Sequence, residues 1–301
     1  MKASIIITTM NRANLMAKRA LRSALSQTFK DYEVIVIDDA GTDDTEKLVG
    51  VYMKTHKNLK YYKSPINKGL SWARNYGVSI SKGEYVVCLD DDNELMPKFL
   101  ERTIQKMEAM CKAWRPDEIG GVSVGRIIKY KDFEDYAQPY IGDTFTAVDW
   151  GWLLRREVFN EIKYDEDMRA NEDTDFGLRF FKRFRWGALH EKLTIAFDAD
   201  DPKESLSFPS KRELDGMTYF LKKNLHEYKD ADELRCLYRL CGRKFYRGGF
   251  RLKGIGFFLK SFMAHKNLNS LANLFFIIFG WGIYNNFMTL TEKVGAKRRR
   301  P

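Results

Sequence analysis

The first hundred residues alternate short apolar runs with segments of helical spacing, and this alternation restricts the fold more than any other feature. The runs "SIIIT" (residues 4–8), "EVIVID" (33–38) and "EYVVCL" (84–89) have the length and β-branched content of buried strands, and "NLKYYKS" is a weaker third strand between the last two. Between the strands, "NLMAKRALRSALSQ" and "GLSWARNYGVSIS" place their apolar residues at helical spacing. Such alternation is typical of an α/β fold built on parallel strands.

Carboxylates follow two of these predicted strands. Asp38 and Asp39 close the second, and Asp90, Asp91 and Asp92 follow the fourth. Neighbouring carboxylates repel one another unless a cation or a raised pKa relieves the repulsion. Because the ligand crevice of an open α/β sheet lies outside the carboxyl ends of its strands, both clusters are expected to face one cleft, where a nucleotide would bind.

The acidic triplet has two interpretations from the residues alone. Three aspartates are hard oxygen ligands that suit Mg²⁺ or Mn²⁺ beside substrate phosphates. The same residues also suit a turn and a helix N-terminus, where the helix dipole favours acids. The sequence contains no GxxxxGK[ST] loop and no GxGxxG fingerprint, so the motifs of P-loop and dinucleotide-binding proteins are missing.

The excess positive charge lies in the last third of the chain. Residues 1–210 carry 32 Lys and Arg against 34 Asp and Glu, whereas residues 211–301 carry 19 against 7, a net of +12. This change near Pro209 predicts a nearly neutral body followed by a basic region. The four cysteines form no CxxC pair and "MKASIIITT" lacks the apolar core of a signal peptide, so a cytoplasmic, reducing compartment is expected.

The basic region predicts an association with membranes. Helices are expected over 211–225 and 231–241, followed by "RKFYRGGFRLKGIGFFLKSFMAHK", which interleaves Lys and Arg with large apolar residues as an interfacial helix does. The apolar run at 271–284 is 14 residues long, shorter than the roughly 20 that span a bilayer, so a monotopic or re-entrant anchor is expected. Packing on the body and oligomerisation are alternatives; no nucleic-acid partner is expected, because no such motif accompanies the charge.

Four motifs occur in an order and spacing that resemble family 2 glycosyltransferases: "SIIITTMNR", "EVIVIDDAGTDDT", "NKGLSWARNYGVSISKGEYVVCLDDDNELMP" and "RANEDTDFGLRF". The resemblance covers roughly residues 3–205. It implies an α/β fold with a GT-A type nucleotide-binding sheet flanked by helices, here followed by an α-helical C-terminal extension. It also implies a nucleotide-sugar-binding half over 1–96 and an acceptor-binding half over 97–209, with the helical, basic, membrane-associating region at 210–301.

The resemblance implies a role for each motif position. The residues that would hold the nucleotide are Thr8, Asn11, Arg12, Asp39, Lys68, Gly69, Asp90 and Asp91. Among them, Asp91 is expected near the ribose. Asp92 is expected to be the ligand of Mn²⁺ or Mg²⁺, which would stabilise the charge that develops on the leaving diphosphate.

The "NEDTD" motif implies the other half of the mechanism. Asp173 matches the family's general base, which takes the proton of an acceptor hydroxyl, with Glu172 and Asp175 orienting the base or the acceptor. A single displacement of this kind inverts the anomeric configuration. Where many relatives carry a histidine further along the chain, this sequence has "IAFDADDPKESLS". Asp200 and Asp201 near that position are either acids of a surface loop, the interpretation we favour, or replacement oxygen ligands.

The sequence therefore predicts an inverting, metal-dependent glycosyltransferase. Its donor would be a nucleoside-diphosphate sugar, in the first place a UDP-sugar, and its acceptor a hydroxyl of a glycan or of a polyprenyl-linked or other lipid-linked molecule. The expected location is peripheral, on the inner face of the cell membrane, with the basic region on anionic lipid. One alternative is a nucleotidyltransferase, although "TTMNRAN" offers no Gly-rich basic phosphate loop. The other is a catalytically silent membrane scaffold.

Overall fold

The structure is a computed structural model of the 301-residue chain that describes residues 1–130, 133–139, 148–197, 210–266 and 268–278. The chain divides into two compact units, Met1–Ser205 and Leu206–Pro301. The further division of the first unit at residue 97 into donor and acceptor halves stays a prediction.

The first unit is built on four parallel strands in the order β3-β2-β1-β4. Their bounds are β1 Ala3–Thr9, β2 Tyr32–Asp38, β3 Leu59–Lys63 and β4 Tyr85–Asp90. Every residue of β1 and β2 is buried. A parallel sheet covered on both faces selects continuous apolar runs, which is why these strands were recognisable in the sequence.

Helices cover both faces of this sheet. The first predicted helix is α1 (Ala13–Met16), a π-helical segment (Ala17–Leu21) and α2 (Arg22–Leu25); α3 is Thr45–Thr55 and α4 is Leu70–Ile80. Ile5 and Ile7 of β1 lie in one core cluster with Met16, whereas Ile6 lies in another with Ala73 of α4. The period of two along the strand thus sends alternate side chains into the two layers.

The sheet continues beyond β4 with strands of mixed direction. Within the described residues it has nine strands, ordered β3-β2-β1-β4-β8-β6-β9-β5, with β7 paired to β6. The added strands are β5 Glu94–Leu95, β6 Ile119–Lys129, β7 Glu134–Ala137, β8 Leu153–Arg155 and β9 Arg185–Phe197. The helices of this part are α5 Phe99–Ala113, α6 Val158–Glu161 and α7 Glu172–Arg183. The α/β prediction is confirmed.

The second unit is helical in its described residues, as the sequence predicted. It contains α8 Lys211–Asn224, α9 Ala231–Arg247, α10 Arg251–Ala264 and α11 Leu268–Ile278. Helix α9 continues six residues past the predicted end because Phe245 is buried, stacking on Phe257 of α10 at 5.3 Å between ring centroids. None of the described helices is both long and apolar enough to cross a membrane.

Candidate active site

The two acidic clusters meet at one edge of the sheet, as the strand pattern predicted. In the register of the parallel strands, Thr8 stands opposite Asp90 of β4, and Thr9 opposite Asp38 of β2. The amide of Asp39 donates to the carbonyl oxygen of Thr9 at 3.0 Å. Thr8 and Thr9, both buried at the end of β1, therefore lie between Asp90 of one neighbouring strand and Asp38 of the other.

Asp39 fixes the loop that precedes α4. Its carboxylate oxygens accept hydrogen bonds from the amides of Lys68 and Gly69, each at 2.7 Å. Gly69 has φ +97°, a left-handed conformation that favours glycine, and the helix begins at the next residue. One buried carboxylate thus sets the path of the loop that was predicted to pass the nucleotide.

Asn11 and Arg12 extend this edge from the loop after β1. Asn11 has φ +56°, and its side-chain oxygen accepts a hydrogen bond from the amide of Thr42 at 2.6 Å. Arg12 donates to Asp91 at 2.7 Å and to Asp92 at 3.0 Å. The fork geometry of one guanidinium therefore serves two of the three carboxylates in the triplet.

The triplet is stabilised in the protein by this arginine and by a shifted pKa. Asp91 is buried and also accepts the hydroxyl hydrogen bond of Thr9 at 2.7 Å. Burial raises the pKa of Asp91 to about 7, with Arg12 and Thr9 opposing the rise and Asp90 and Asp92 adding to it. Near neutral pH the cluster therefore carries less than three negative charges.

A buried arginine joins the triplet to the "NEDTD" motif. Arg74 of α4, only 3% exposed, donates to Asp90 at 2.9 Å and to Glu172 at 3.1 Å. Its Nε is buried without a hydrogen-bond partner among the described residues. Arg74 was not predicted from the sequence. Its signal there is that it is the charged residue of the helical segment "SWARNYG".

Asp173 lies in the first turn of α7, next to Glu172. Its Oδ1 accepts a hydrogen bond from the amide of Thr174 at 2.7 Å, and its backbone oxygen accepts one from the amide of Val148 at 3.3 Å. Burial raises the pKa of Asp173 to about 6, reinforced by the negative charges of Glu172 and Asp149 and opposed by Arg74. A carboxylate with that pKa is mostly ionised at neutral pH and is a stronger base than an ordinary aspartate.

Asp149 is a second site residue that the sequence did not reveal. Its carboxylate accepts two hydrogen bonds from the guanidinium of Arg126 in β6, at 2.8 and 3.1 Å, as a bidentate ion pair. The same guanidinium lies 4.1 Å from the ring centroid of Trp150. No motif signals this pair in "VDWGW". Asp175, predicted to orient the base or acceptor, is fully buried and accepts from Arg179 at 2.5 Å.

The carboxylate oxygens of the triplet are chemically suited to bind a divalent cation. Asp92 keeps 31% of its side chain exposed, and carboxylates of this kind suit Mg²⁺ or Mn²⁺ when phosphates supply the remaining oxygens. Within the described residues no group of three or more His, Cys, Asp and Glu side chains is arranged to hold a metal ion. The phosphates of a nucleotide would therefore have to supply further ligands. Asp200 and Asp201 lie outside the described residues.

The structure thus brings predicted residues together in three separate sets of contacts. One chain of hydrogen bonds connects Arg12, Asp91 and Asp92, a second connects Asp39 with the 68–69 loop, and Arg74 connects Asp90 to the start of α7. Their roles toward a ligand stay predictions.

The chain is similar to known glycosyltransferases over part of its length. The model of the family described as "Glycosyl transferase family 2" matches residues 4–163, just over half of the chain. A relative from Campylobacter jejuni, GalNAc(5)-diNAcBac-PP-undecaprenol beta-1,3-glucosyltransferase, is 40% identical over 181 residues, which are 58% of this chain and 58% of the relative. The chain therefore spans little more than half the length of that relative.

Two solved structures share the fold. Residues 1–349 of S. aureus TarS, in complex with UDP-GlcNAc, superpose with a TM-score of 0.57 at 19% identity, covering 88% of this chain and 81% of that one. The mannosyltransferase PcManGT from Pyrobaculum calidifontis, in complex with GDP-Man and Mn²⁺, gives 0.58 at 15% identity, covering 91% and 78%. At such identities the likeness concerns the fold, and it confirms the predicted GT-A type.

Proposed function

This chain belongs to glycosyl transferase family 2, and from that premise we propose that it transfers a sugar from a UDP-sugar to a hydroxyl group with inversion of configuration. The observation that carries the proposal is the Arg74 bridge, because it joins the acidic triplet at the carboxyl end of β4 to the acid pair that opens α7. Donor activation and acceptor deprotonation need these two groups in one cleft.

The proposed roles of the individual residues follow from their positions. Thr8, Asn11, Asp39 and the 68–69 loop surround the carboxyl ends of β1 and β2, where the base and ribose would bind. Arg12 donates to both Asp91 and Asp92, and Asp91 would lie near the ribose. Asp92 would hold Mg²⁺ or Mn²⁺, which would supply positive charge to the leaving diphosphate when bound.

Asp173 is the proposed general base. Its carboxylate accepts the proton of the acceptor hydroxyl while the oxygen forms a bond to the anomeric carbon. The bond from that carbon to the diphosphate oxygen breaks with its electron pair, so UDP leaves from the opposite face and the configuration inverts. Glu172, held by Arg74, keeps the start of α7 in place for this step.

The acceptor we propose is a glycan or a polyprenyl-linked molecule. The support is that the Campylobacter jejuni relative is named for an undecaprenol-linked acceptor, and that the second unit of this chain is basic and rich in large apolar residues. We propose accordingly that the protein is peripheral on the inner face of the cell membrane.

Calorimetric titration tests the donor site. Titrating UDP, GDP, CDP and ATP with and without Mn²⁺ should give strong heat for UDP only when the metal is present. Asp92→Ala should lose this metal-dependent binding, whereas Asp117→Asn, at an exposed acid remote from the motifs, should keep it. Equal UDP affinity with and without Mn²⁺ would contradict the assignment of Asp92, and binding of a triphosphate alone would favour a nucleotidyltransferase.

Transfer kinetics test the base. Asp173→Asn should bind UDP as the wild type does and should lower kcat by at least about a thousandfold, because an amide cannot accept the proton at neutral pH. A variant that transfers sugar at the wild-type rate would remove Asp173 from this role.

A further inference from the structure

Helix α10 has apolar residues on the side that does not pack inside the protein. Its inner side is formed by Gly254, Phe257, Phe258 and Ser261, all buried. On the other side, Leu252 is 87% exposed, Leu259 47% and Met263 64%. Positions i, i+7 and i+11 fall on one face of a helix, so these three side chains form a continuous strip, here named the outer stripe.

The surface around Gly256, between Leu252 and Leu259, is open within the described residues. A Cβ added at Gly256 would meet no atom of those residues within 4 Å. Helix α11 shows the same arrangement, since Leu271, Phe275 and Ile278 are exposed at i, i+4 and i+7. Its opposite side carries Ile277, which is fully buried in a cluster with Phe258. Two consecutive helices therefore present apolar side chains outward.

Positive charge surrounds this apolar surface. Between residues 234 and 278 the sequence has nine Lys and Arg and no Asp or Glu. Three of these basic residues, Arg251, Lys253 and Lys260, are exposed on α10 beside the outer stripe. The ammonium group of Lys253 lies 4.1 Å from the ring centroid of Phe245, and that of Lys260 lies 5.4 Å from the ring centroid of Phe257. The methylene chains of both lysines can thus cover apolar surface.

We infer that the outer stripe and its three flanking basic residues form the face by which this protein docks on an anionic phospholipid surface. This inference rests on the proposed peripheral membrane location and is independent of the transfer reaction. Exposed leucine and methionine enter the boundary of headgroups and acyl chains, while lysine and arginine remain at the phosphates. The helix axis would then lie in the plane of the membrane.

The charge pattern favours lipid over a second copy of the chain. In a two-fold symmetric contact the same patch meets itself. Two such patches would bring Arg251, Lys253 and Lys260 of each copy together without any acid of the 234–278 segment to pair with them. Anionic phosphates supply the opposite charge and the acyl boundary supplies the apolar phase.

Vesicle sedimentation of the full-length protein tests the inference. The probes are phosphatidylcholine vesicles with and without phosphatidylglycerol. The variant Leu252→Ser/Leu259→Ser/Met263→Ser should lose on the order of 100-fold in partitioning to the anionic vesicles, because three partly inserted side chains are removed. Lys253→Gln/Lys260→Gln should lose about 30-fold, at about a factor of five per charge near anionic lipid.

The matched control is Val51→Ser/Met53→Ser/Trp114→Ser, which removes three exposed apolar side chains of the first unit. It should bind vesicles as the wild type does, and far-UV circular dichroism should be unchanged in every variant. Wild-type partitioning of the outer-stripe variant would overturn the inference. So would a wild-type dimer in analytical ultracentrifugation that becomes a monomer in that variant, because the stripe would then be a subunit interface.

The same preparations separate this inference from the proposed reaction. If UDP binds with Mn²⁺ and the wild type ignores both kinds of vesicle, the docking face fails while the transferase proposal stands. If anionic vesicles bind as expected and no nucleotide binds, the transferase proposal fails and the docking face stands.

Discussion

Besides Arg12, two arginines, Arg74 and Arg126, bind acidic residues of the candidate site. Arg74 bonds Asp90 and Glu172, and Arg126 bonds Asp149 through both of its terminal nitrogens. The Nε atom of each arginine is buried without a hydrogen-bond partner in the part of the chain that the structure describes. Each guanidinium therefore makes its hydrogen bonds through its terminal nitrogens, and that of Arg126 also donates to the backbone oxygen of Trp150 at 3.1 Å.

Replacing Arg74 should cost stability. Arg74→Met leaves Asp90 and Glu172 without their cation, and breaking a buried pair in this way costs about 3 to 5 kcal/mol in the free energy of unfolding. Urea denaturation measures this loss. The control is Arg102→Met, which removes an exposed pair with Glu191 and should cost less than about 1 kcal/mol. Similar losses in both variants would mean that Arg74 contributes no more than a surface pair.

The pH dependence of transfer should report the environment of Asp173. The base acts only when ionised, so kcat should fall as the pH drops below about 6, the raised pKa of Asp173. Asp149→Asn removes a neighbouring negative charge, which makes ionisation of Asp173 easier and lowers its pKa. The acidic limb of the kcat profile should therefore move to lower pH.

The quantity to measure is the pH at which kcat falls on the acidic side of the profile. The magnitude of kcat is less informative, because Asp149→Asn also removes the ion pair with Arg126. Asp117→Asn, at an exposed acid, should leave the limb unchanged. A limb at the same pH in Asp149→Asn would show that Asp149 does not act on the base.

Helix α4 is the element that connects the two halves of the site. It starts at the left-handed Gly69 held by Asp39, carries Arg74 in its second turn, and packs closely on the sheet at Gly77. A Cβ at Gly77 would lie 2.4 Å from Ile6 Cγ2 and 3.3 Å from Ile37 Cγ1. The position of Arg74 therefore depends on the close approach of α4 to β1 and β2.

A pair of glycine substitutions tests this packing. Gly77→Ala should destabilise the protein by about 1 to 3 kcal/mol, because the methyl group overlaps a fully packed strand. Gly50→Ala, inside α3, should stabilise it by about 0.5 to 1 kcal/mol through helix propensity, because no described atom outside the local helix backbone lies within 4 Å of the added Cβ. Urea midpoints compare the two variants, and a gain in both would contradict the close contact at Gly77.

The whole molecule divides its charge and its predicted roles between two units. All of the residues predicted for donor binding and catalysis lie in Met1–Ser205, whereas the basic, apolar surface lies in Leu206–Pro301. A chain ending at residue 210 should therefore keep the metal-dependent UDP affinity of the full chain within about twofold, because it retains every residue predicted for donor binding. It should also fail to sediment with anionic vesicles.

Circular dichroism and thermal unfolding establish that the shortened chain is folded before either measurement. A folded shortened chain without UDP affinity would mean that the second unit contributes to the donor site. One that sediments like the full chain would place membrane binding in the first unit.

The sequence by itself determined the parallel strands, the helices between them and the placement of Asp39 and the triplet at one edge of the sheet. These features follow from local periodicity and from the rule that parallel strands end at a common edge. The helices of the second unit followed in the same way. Strand β9 was not predicted, because most of its side chains are half-buried and its place comes from pairing with β6.

Only the tertiary structure decided which charges meet and which surfaces stay exposed. Arg74 contacts Asp90 and Glu172 across 16 and 98 residues of sequence, and the Arg126–Asp149 pair spans 23. The burial that raises the pKa of Asp91, and the side of α10 that faces outward, likewise depend on packing between distant segments. Hydrophobic periodicity is a property of neighbours along the chain, whereas desolvation and ion pairing are properties of neighbours in space.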